Sequence, residues 1–186
     1  MGISDGVSDA LKTLSSEVVY SGYVVSLVKD IVLLPSGRET IREKVIHRGG
    51  VGILPVLKDD HLILVEQFRY VVNTTLLEIP AGTIEKDETP EECAARELRE
   101  ETGYQASKLE LLSSFYLAPG YSNELLWLFK ASGLKGGEMK PMPDEVLKVK
   151  KVKLAEACDL IRSGVIRDAK TICAILLYKM RKRGDV

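Results

Sequence analysis

The segment TPEECAARELREETG, Thr89 to Gly103, constrains this chain more than any other. Thr89, Pro90 and Glu92 read as a helix start: an N-cap, a proline at the first helical position and a glutamate able to close a capping box. Gly103 supplies the left-handed conformation that ends a helix. The expected helix runs from Pro90 to about Thr102, with Ala94, Ala95 and Leu98 as a narrow apolar side to lie on a sheet. Its last turns then hold Glu97, Glu100 and Glu101. The C-terminal end of a helix carries partial negative charge and disfavours carboxylates. Neighbours three and four apart also repel, by roughly a few tenths of a kcal/mol per pair. Arg96 can relieve Glu100, but one guanidinium does not neutralise three carboxylates. A hard divalent cation such as magnesium or manganese, which takes oxygen ligands, can.

Around this helix the chain reads mostly as strands. Residues 17–48 divide into three, rich in Val, Ile and Tyr, with a turn at Pro35-Ser36-Gly37 between the second and third. The first dozen residues form a short helix or stay loose. GGVGILPVL and HLILVEQFRY are buried strands joined at Lys58-Asp59-Asp60, and TLLEIPAG is a short strand ended by Pro80 and Gly82. Gly82 also permits a tight turn and close backbone approach in the loop before the helix. Strand-like KLELLSSFYLAPG and NELLWLFKASGL follow the acidic helix. VLKVKKVKL alternates, so Lys148, Lys150, Lys151 and Lys153 read as a solvated strand face and not a nucleic-acid site. AEACDLIRSG and DAKTICAILLYKMRKR are helices, the second N-capped by Asp168. The pattern is α/β: a mixed sheet with helices on its faces.

Composition excludes several classes. A net charge of −1 over 186 residues creates no global attraction to nucleic acid or membrane. No apolar run is long enough to span a bilayer, and the N-terminal residues lack a secretory pattern. Cys93, Cys158 and Cys173 are isolated and odd in number, which points to a reducing cytoplasm without disulfides.

GTIEKDETPEECAARELREETGY resembles the Nudix hydrolase box at Gly82, Glu88, Arg96, Glu97, Leu98, Glu100, Glu101, Gly103 and Tyr104. Tyr104 departs from the usual Ile, Leu or Val but is apolar enough to pack. The resemblance implies a Nudix fold, a mixed β-sheet sandwiched between helices with an N-terminal strand extension. It divides the chain into residues 1–46, a strand region that dimerises, and 47–186, the hydrolase domain. It also implies magnesium, or manganese in its place, on Glu97 and Glu101, with Glu100 beside them. Arg96 orients these carboxylates, and Glu88 has a structural or outer-shell role.

The flanks EQFRY and LLEIPAG, with Pro119, resemble the ADP-ribose (ADP-sugar) pyrophosphatase branch. In that branch the backbone carbonyl before the box glycine, here that of Ala81, also binds metal. The implied reaction is metal-dependent hydrolysis of ADP-ribose to AMP and ribose 5-phosphate. The proton acceptor comes from GGEMKPMPDEVLKV, with Glu145 the first choice and Asp144 the second; Glu100 or Glu101 is the alternative. Arg69 is expected on the diphosphate or in a surface salt bridge. Glu78 binds a ribose hydroxyl or pairs with Arg69. Tyr20 and Tyr23, on the first strand, stack on adenine or are ordinary strand tyrosines. The branch exchanges its N-terminal strands across a homodimer. Two other readings stand beside this one: hydrolysis of another nucleotide sugar or a dinucleoside polyphosphate, and a non-catalytic nucleotide-binding regulator.

Overall fold

The computed structural model describes residues 11–139 and 146–184. They form two compact units, one of residues 11–48 with Tyr116–Glu124, the other of Gly49–Phe115 with residues 125–139 and 146–184.

In the first unit β1 (Lys12–Ser21), β2 (Ser26–Leu33) and β3 (Glu39–Ile46) make an antiparallel sheet in that order. The turn between β2 and β3 closes through Gly37 N–H to the Leu34 carbonyl at 2.9 Å, with Gly37 at φ 79°. Strand β1 already includes Lys12, so the expectation of a helix or loose segment over the first dozen residues fails at its last position. The residues before Leu11 lie outside the described ones. Tyr23 falls in the turn after β1 and not on the strand. Asp30, buried on β2, accepts from Ser16 of β1 at 2.7 Å and from Lys44 of β3, a polar tie across all three strands. Residues 116–124 join this unit because they extend β3. Val45 N–H reaches the Tyr121 carbonyl at 2.7 Å, and the Asn123 amide both accepts from His47 N–H (2.7 Å) and donates to His47 O (3.2 Å).

The second unit carries the acidic helix. Its strands are β4 (Gly50–Pro55), β5 (His61–Arg69), β6 (Thr74–Glu78), β7 (Ala81–Thr83), β8 (Lys108–Tyr116), β9 (Leu125–Ser132) and β10 (Leu147–Lys153). Its helices are α1 (Pro90–Thr102), α2 (Leu154–Arg162) and α3 (Ala169–Arg183). The strands divide into two sheets, β10-β5-β6 and β7-β4-β9-β8, where one mixed sheet was expected. Strand β4 pairs antiparallel with β7 and parallel with β9, so it is an interior strand of the mixed sheet, and all six of its residues are buried. That is why it reads as a continuous apolar run and not as an alternation. One face of the second unit's core packs Val51, Ile53 and Phe129 against Cys93, Ala94 and Leu98 of α1. The other packs Leu54, Leu62, Leu64 and Leu128 against Ala157, Ala174 and Ile175 of α2 and α3. Burying Leu98 completely contributes roughly 2–3 kcal/mol towards fixing α1 on the sheet. On β10 the four lysines are exposed, the solvated face that the alternation implied.

Two local expectations need correction. Gly82 does not end a strand: it lies in the middle of β7, opposite Val51 of β4. Ala95 is exposed, and Cys93 takes its place on the buried stripe of α1, because the stripe is turned by about one residue. The turn brings Glu97 and Glu101 from the side of the helix onto the face that meets the sheet.

Candidate active site

Helix α1 starts and stops where its sequence dictates. Thr89 accepts from Glu92 N–H at 3.3 Å, and Thr89 N–H donates to the Glu92 carboxylate at 2.9 Å, so the capping box is closed in both directions. At the other end Gly103, at φ 74°, donates to the Arg99 carbonyl at 2.9 Å. With its first turn fixed and its apolar stripe on β4 and β9, the helix has no freedom to rotate its carboxylates away from β7.

Glu101 is 2 % exposed, and its Oε2 accepts from Ala81 N–H at 3.2 Å. Glu97 comes so close to β7 that a Cβ on Gly82 would lie 1.8 Å from its Oε1 and 2.0 Å from its Cδ. Only glycine leaves room for that carboxylate. Ala81 and Gly82 are thus brought together with Glu97 and Glu101 by backbone as much as by side chain.

Arg96 lies among the other carboxylates. Its Nε and Nη2 donate to the two oxygens of Glu88 at 2.8 and 3.0 Å, a paired geometry that suits a guanidinium and a carboxylate. Its Nη1 donates to Glu97 at 2.7 Å and to Glu100 at 3.1 Å. One arginine therefore serves Glu88, Glu97 and Glu100 together, more than its sequence position implied, while Glu101 is held from the sheet side. The Arg96 guanidinium, with the Glu85 amide, holds the Glu88 carboxyl at about 2, well below its ordinary 4.5, against the opposing effect of burial. Arg96 is correspondingly shifted further above the usual arginine range, chiefly by Glu88. Burial, then Glu88, pushes the Cys93 thiol up to about 12, so it is not a nucleophile. Among the described residues no three His, Cys, Asp or Glu side chains converge as a ready-made metal cage. The carboxylate oxygens of Glu97, Glu100 and Glu101 are donors of the kind a hard cation takes.

Arg69 and Glu78 are joined directly. Arg69 Nε and Nη2 donate to the two Glu78 oxygens, each at 2.8 Å. Glu78 is 1 % exposed and also accepts from Lys170 of α3. Burial alone would raise its pKa, but Arg69 and Lys170 together hold it below the ordinary value. Glu78 is thus paired with Arg69, one of its two expected roles. The pair lines a cavity of about 430 Å³ with Phe68, Leu76, Asp168 and Lys170. Arg69 Nη1 has no partner among the described residues and is a donor still available to a ligand.

Tyr20 (59 % exposed) and Tyr23 (89 %) belong to the first unit, and the structure gives them no partner side chain that would fix a stacking role. Asp144 and Glu145 lie outside the described residues. Gln67 was missed by the reading of the sequence. It is 8 % exposed on β5, two residues before Arg69, and its Oε1 has no hydrogen-bond partner among the described residues. An unmet buried acceptor costs about 1–3 kcal/mol, so a donor from water or a ligand would stabilise it. The only sequence signal was a polar residue inside the apolar run of β5.

The acidic helix, packed with Glu97 against Gly82 of β7 in a domain of helix-covered sheets, defines a domain of the Nudix class. Residues 46–175 match the NUDIX domain, and the chain belongs to that family. It is 41 % identical over 173 residues to an ADP-ribose pyrophosphatase of Bacillus subtilis, covering 92 % of this chain and 94 % of that protein. It is 37 % identical over 173 residues to a methanol dehydrogenase activator of Bacillus methanolicus, with the same coverage of both chains. A crystal structure of an ADP compounds hydrolase superposes with a TM-score of 0.83 at 25 % identity, covering 95 % of this chain and 97 % of that one. No helix among the described residues is long and apolar enough to cross a membrane.

Proposed function

We propose that this chain hydrolyses the diphosphate of ADP-ribose to AMP and ribose 5-phosphate with a divalent cation, magnesium or manganese. The observation that carries the chemistry is the placing of Glu97 and Glu101 against the side-chain-free backbone of Gly82 and the amide of Ala81. The likeness along nearly the whole chain to an ADP-ribose pyrophosphatase supports the substrate. Glu97, Glu100 and Glu101, with the Ala81 carbonyl, would hold the cation. When bound it neutralises the diphosphate and polarises the bond to be cleaved.

The chain's own groups have separate tasks. Arg96 keeps Glu97 and Glu100 gathered against their mutual repulsion. Glu78 orients Arg69, whose remaining donors face the diphosphate. Gln67 offers its unmet acceptor to a substrate hydroxyl. A carboxylate takes the proton of the attacking water: Glu145 first, Asp144 second, with Glu100 or Glu101 as the alternative within the box. Tyr20 and Tyr23 stack on the base.

The same reading makes residues 1–46 a dimerising strand region and 47–186 the hydrolase domain of a cytoplasmic homodimer. Every residue of β1 is exposed, including Leu14, Val18, Val19 and Tyr20, and a long exposed apolar strand supports pairing with a second copy. The three free cysteines support a reducing compartment.

A panel of nucleoside diphosphate compounds with magnesium tests the reaction, reading released nucleoside monophosphate and phosphate ester. ADP-ribose should be turned over fastest, giving AMP. Preference for a GDP-sugar or a dinucleoside polyphosphate would move the substrate assignment, and binding without turnover would leave a regulator. Sedimentation of the full chain should give twice the monomer mass.

A further inference from the structure

The strand that carries Ala81 and Gly82 changes sheets immediately before it reaches them. Strand β6 pairs with β5 as far as Glu78, opposite Val65. Strand β7 pairs with β4 from Ala81, opposite Gly52. Ile79 and Pro80 lie between, in neither ladder. Pro80 has no N–H to satisfy, and its carbonyl accepts from Ile53 N–H at 2.8 Å. The amide of Ile79, a fully buried residue, has no strand to pair with at the crossover.

A side chain from a distant helix takes the place of that strand. Ile79 N–H donates to Thr171 Oγ1 at 2.8 Å, and Thr171 is itself 0 % exposed. The Thr171 hydroxyl donates its own hydrogen bond to Asp168 Oδ2, at 2.5 Å. The same oxygen caps α3 by accepting from Thr171 N–H at 2.9 Å. Asp168 Oδ1 accepts from Lys170 at 2.8 Å, and Lys170 also reaches Glu78. The first turn of α3 thus holds the crossover at two successive residues. Two and three residues further on, Ala81 and Gly82 meet Glu101 and Glu97.

We propose that Thr171, oriented by Asp168, is a positioning residue for cation binding by the α1 carboxylates. It acts by fixing the Ile79–Pro80 crossover, and so the place of Ala81 and Gly82 against Glu101 and Glu97. The proposal rests on the cation site assigned above and deepens it, because it assigns a role in that site to a residue far along the chain from the acidic helix, on α3. Asp168 acquires a second task besides capping α3.

The test compares Thr171→Val, which keeps the shape and loses the hydroxyl, with Thr171→Ser, which keeps the hydroxyl. Binding of Mn2+ to the full chain without substrate is followed by electron paramagnetic resonance. The kcat and KM for ADP-ribose are measured at saturating magnesium. Thr171→Val should weaken Mn2+ binding and lower kcat, each by about tenfold, as losses of outer supports to a metal site do. The KM for ADP-ribose should stay within about twofold, and Thr171→Ser should return both quantities close to the parent. Mn2+ binding by Thr171→Val equal to the parent would overturn the proposal, as would a Ser variant as impaired as the Val variant. A parent that binds Mn2+ but leaves ADP-ribose intact sinks the substrate assignment alone, since the Mn2+ comparison still reads the tether. A parent that binds no Mn2+ overturns both. If Thr171→Val does not fold, amide hydrogen exchange in the parent decides: Ile79 N–H should exchange among the slowest, and rapid exchange would refute the tether.

Discussion

Replacing Gly82 by alanine puts a methyl group where the Glu97 carboxylate now lies. The new Cβ would be 1.8 Å from Oε1, 2.0 Å from Cδ and 2.7 Å from Cγ of that side chain. To bring Oε1 from 1.8 Å to ordinary contact at 3.4 Å the carboxylate must retreat by about 1.6 Å. The atoms in conflict belong to the far part of a flexible side chain, so torsion of Glu97 relieves the clash and β7 stays in place. Gly82 does not use a positive φ, so alanine fits the backbone. The fold should therefore keep its stability to within about 1 kcal/mol, since alanine also restricts the unfolded chain. Turnover should not survive so well. A shift of that size withdraws a ligand from its place, and misplacement by about 1 Å can cost on the order of 100-fold. Thermal melting and kcat for ADP-ribose, measured on one preparation, separate the two effects. The expected result is an almost unchanged melting temperature with kcat reduced about 100-fold. A Gly82→Ala enzyme with parental kcat would refute the reasoning, because Glu97 would then have no required position against β7.

Glu101→Gln keeps an acceptor for Ala81 N–H, so the chain should fold while turnover at saturating magnesium falls by orders of magnitude. Glu97→Gln should do the same without stabilising the metal-free chain, since Arg96 already offsets the repulsion at Glu97; parental turnover in both variants would remove them from the cation site. The Glu88 carboxyl lies at about 2 when folded against an ordinary 4.5, so its stabilising pairing with Arg96 is complete above about 4.5 and lost as pH falls towards 2. Glu88→Gln should accordingly flatten the dependence of melting temperature on pH in that window, and equal slopes for parent and variant would contradict the assignment. Arg69→Ala leaves Glu78 buried with Lys170 alone, so it should lower the melting temperature and raise the KM for ADP-ribose about tenfold, a charge-assisted contact being worth roughly 1.5–3 kcal/mol. Lysine should rescue only in part, and a melting shift with unchanged KM would make Arg69 purely structural.

The acidic helix was legible because its boundaries are local. Thr89, Pro90, Glu92 and Gly103 act within one turn of chain, and each capping contact is present. Strand β4 was legible for a related reason: a strand covered on both faces must be apolar throughout, whatever covers it. The turn at Gly37 and the N-cap at Asp168 belong to the same kind of feature.

What the chain could not disclose by itself depends on contacts between distant segments. Whether Cys93 or Ala95 joins Ala94 and Leu98 on the buried stripe is settled by how α1 lies on the sheet, since both alternatives satisfy helical spacing. Gly82 announced a turn or a close approach, and only the packing of α1 over β7 selects the approach and names Glu97 as its cause. The partners of Arg69 and Glu78 follow from the pairing of β5 with β6, which sequence spacing does not specify. Gln67 shows only as a polar residue inside an apolar run, and Thr171 carries no local signal at all. One became notable when burial left its oxygen unmet, the other when the chain's change of sheets left the Ile79 amide for it to bind. Helix caps and apolar runs are written within a few residues, whereas unmet donors and acceptors arise only when distant segments close around them and exclude water.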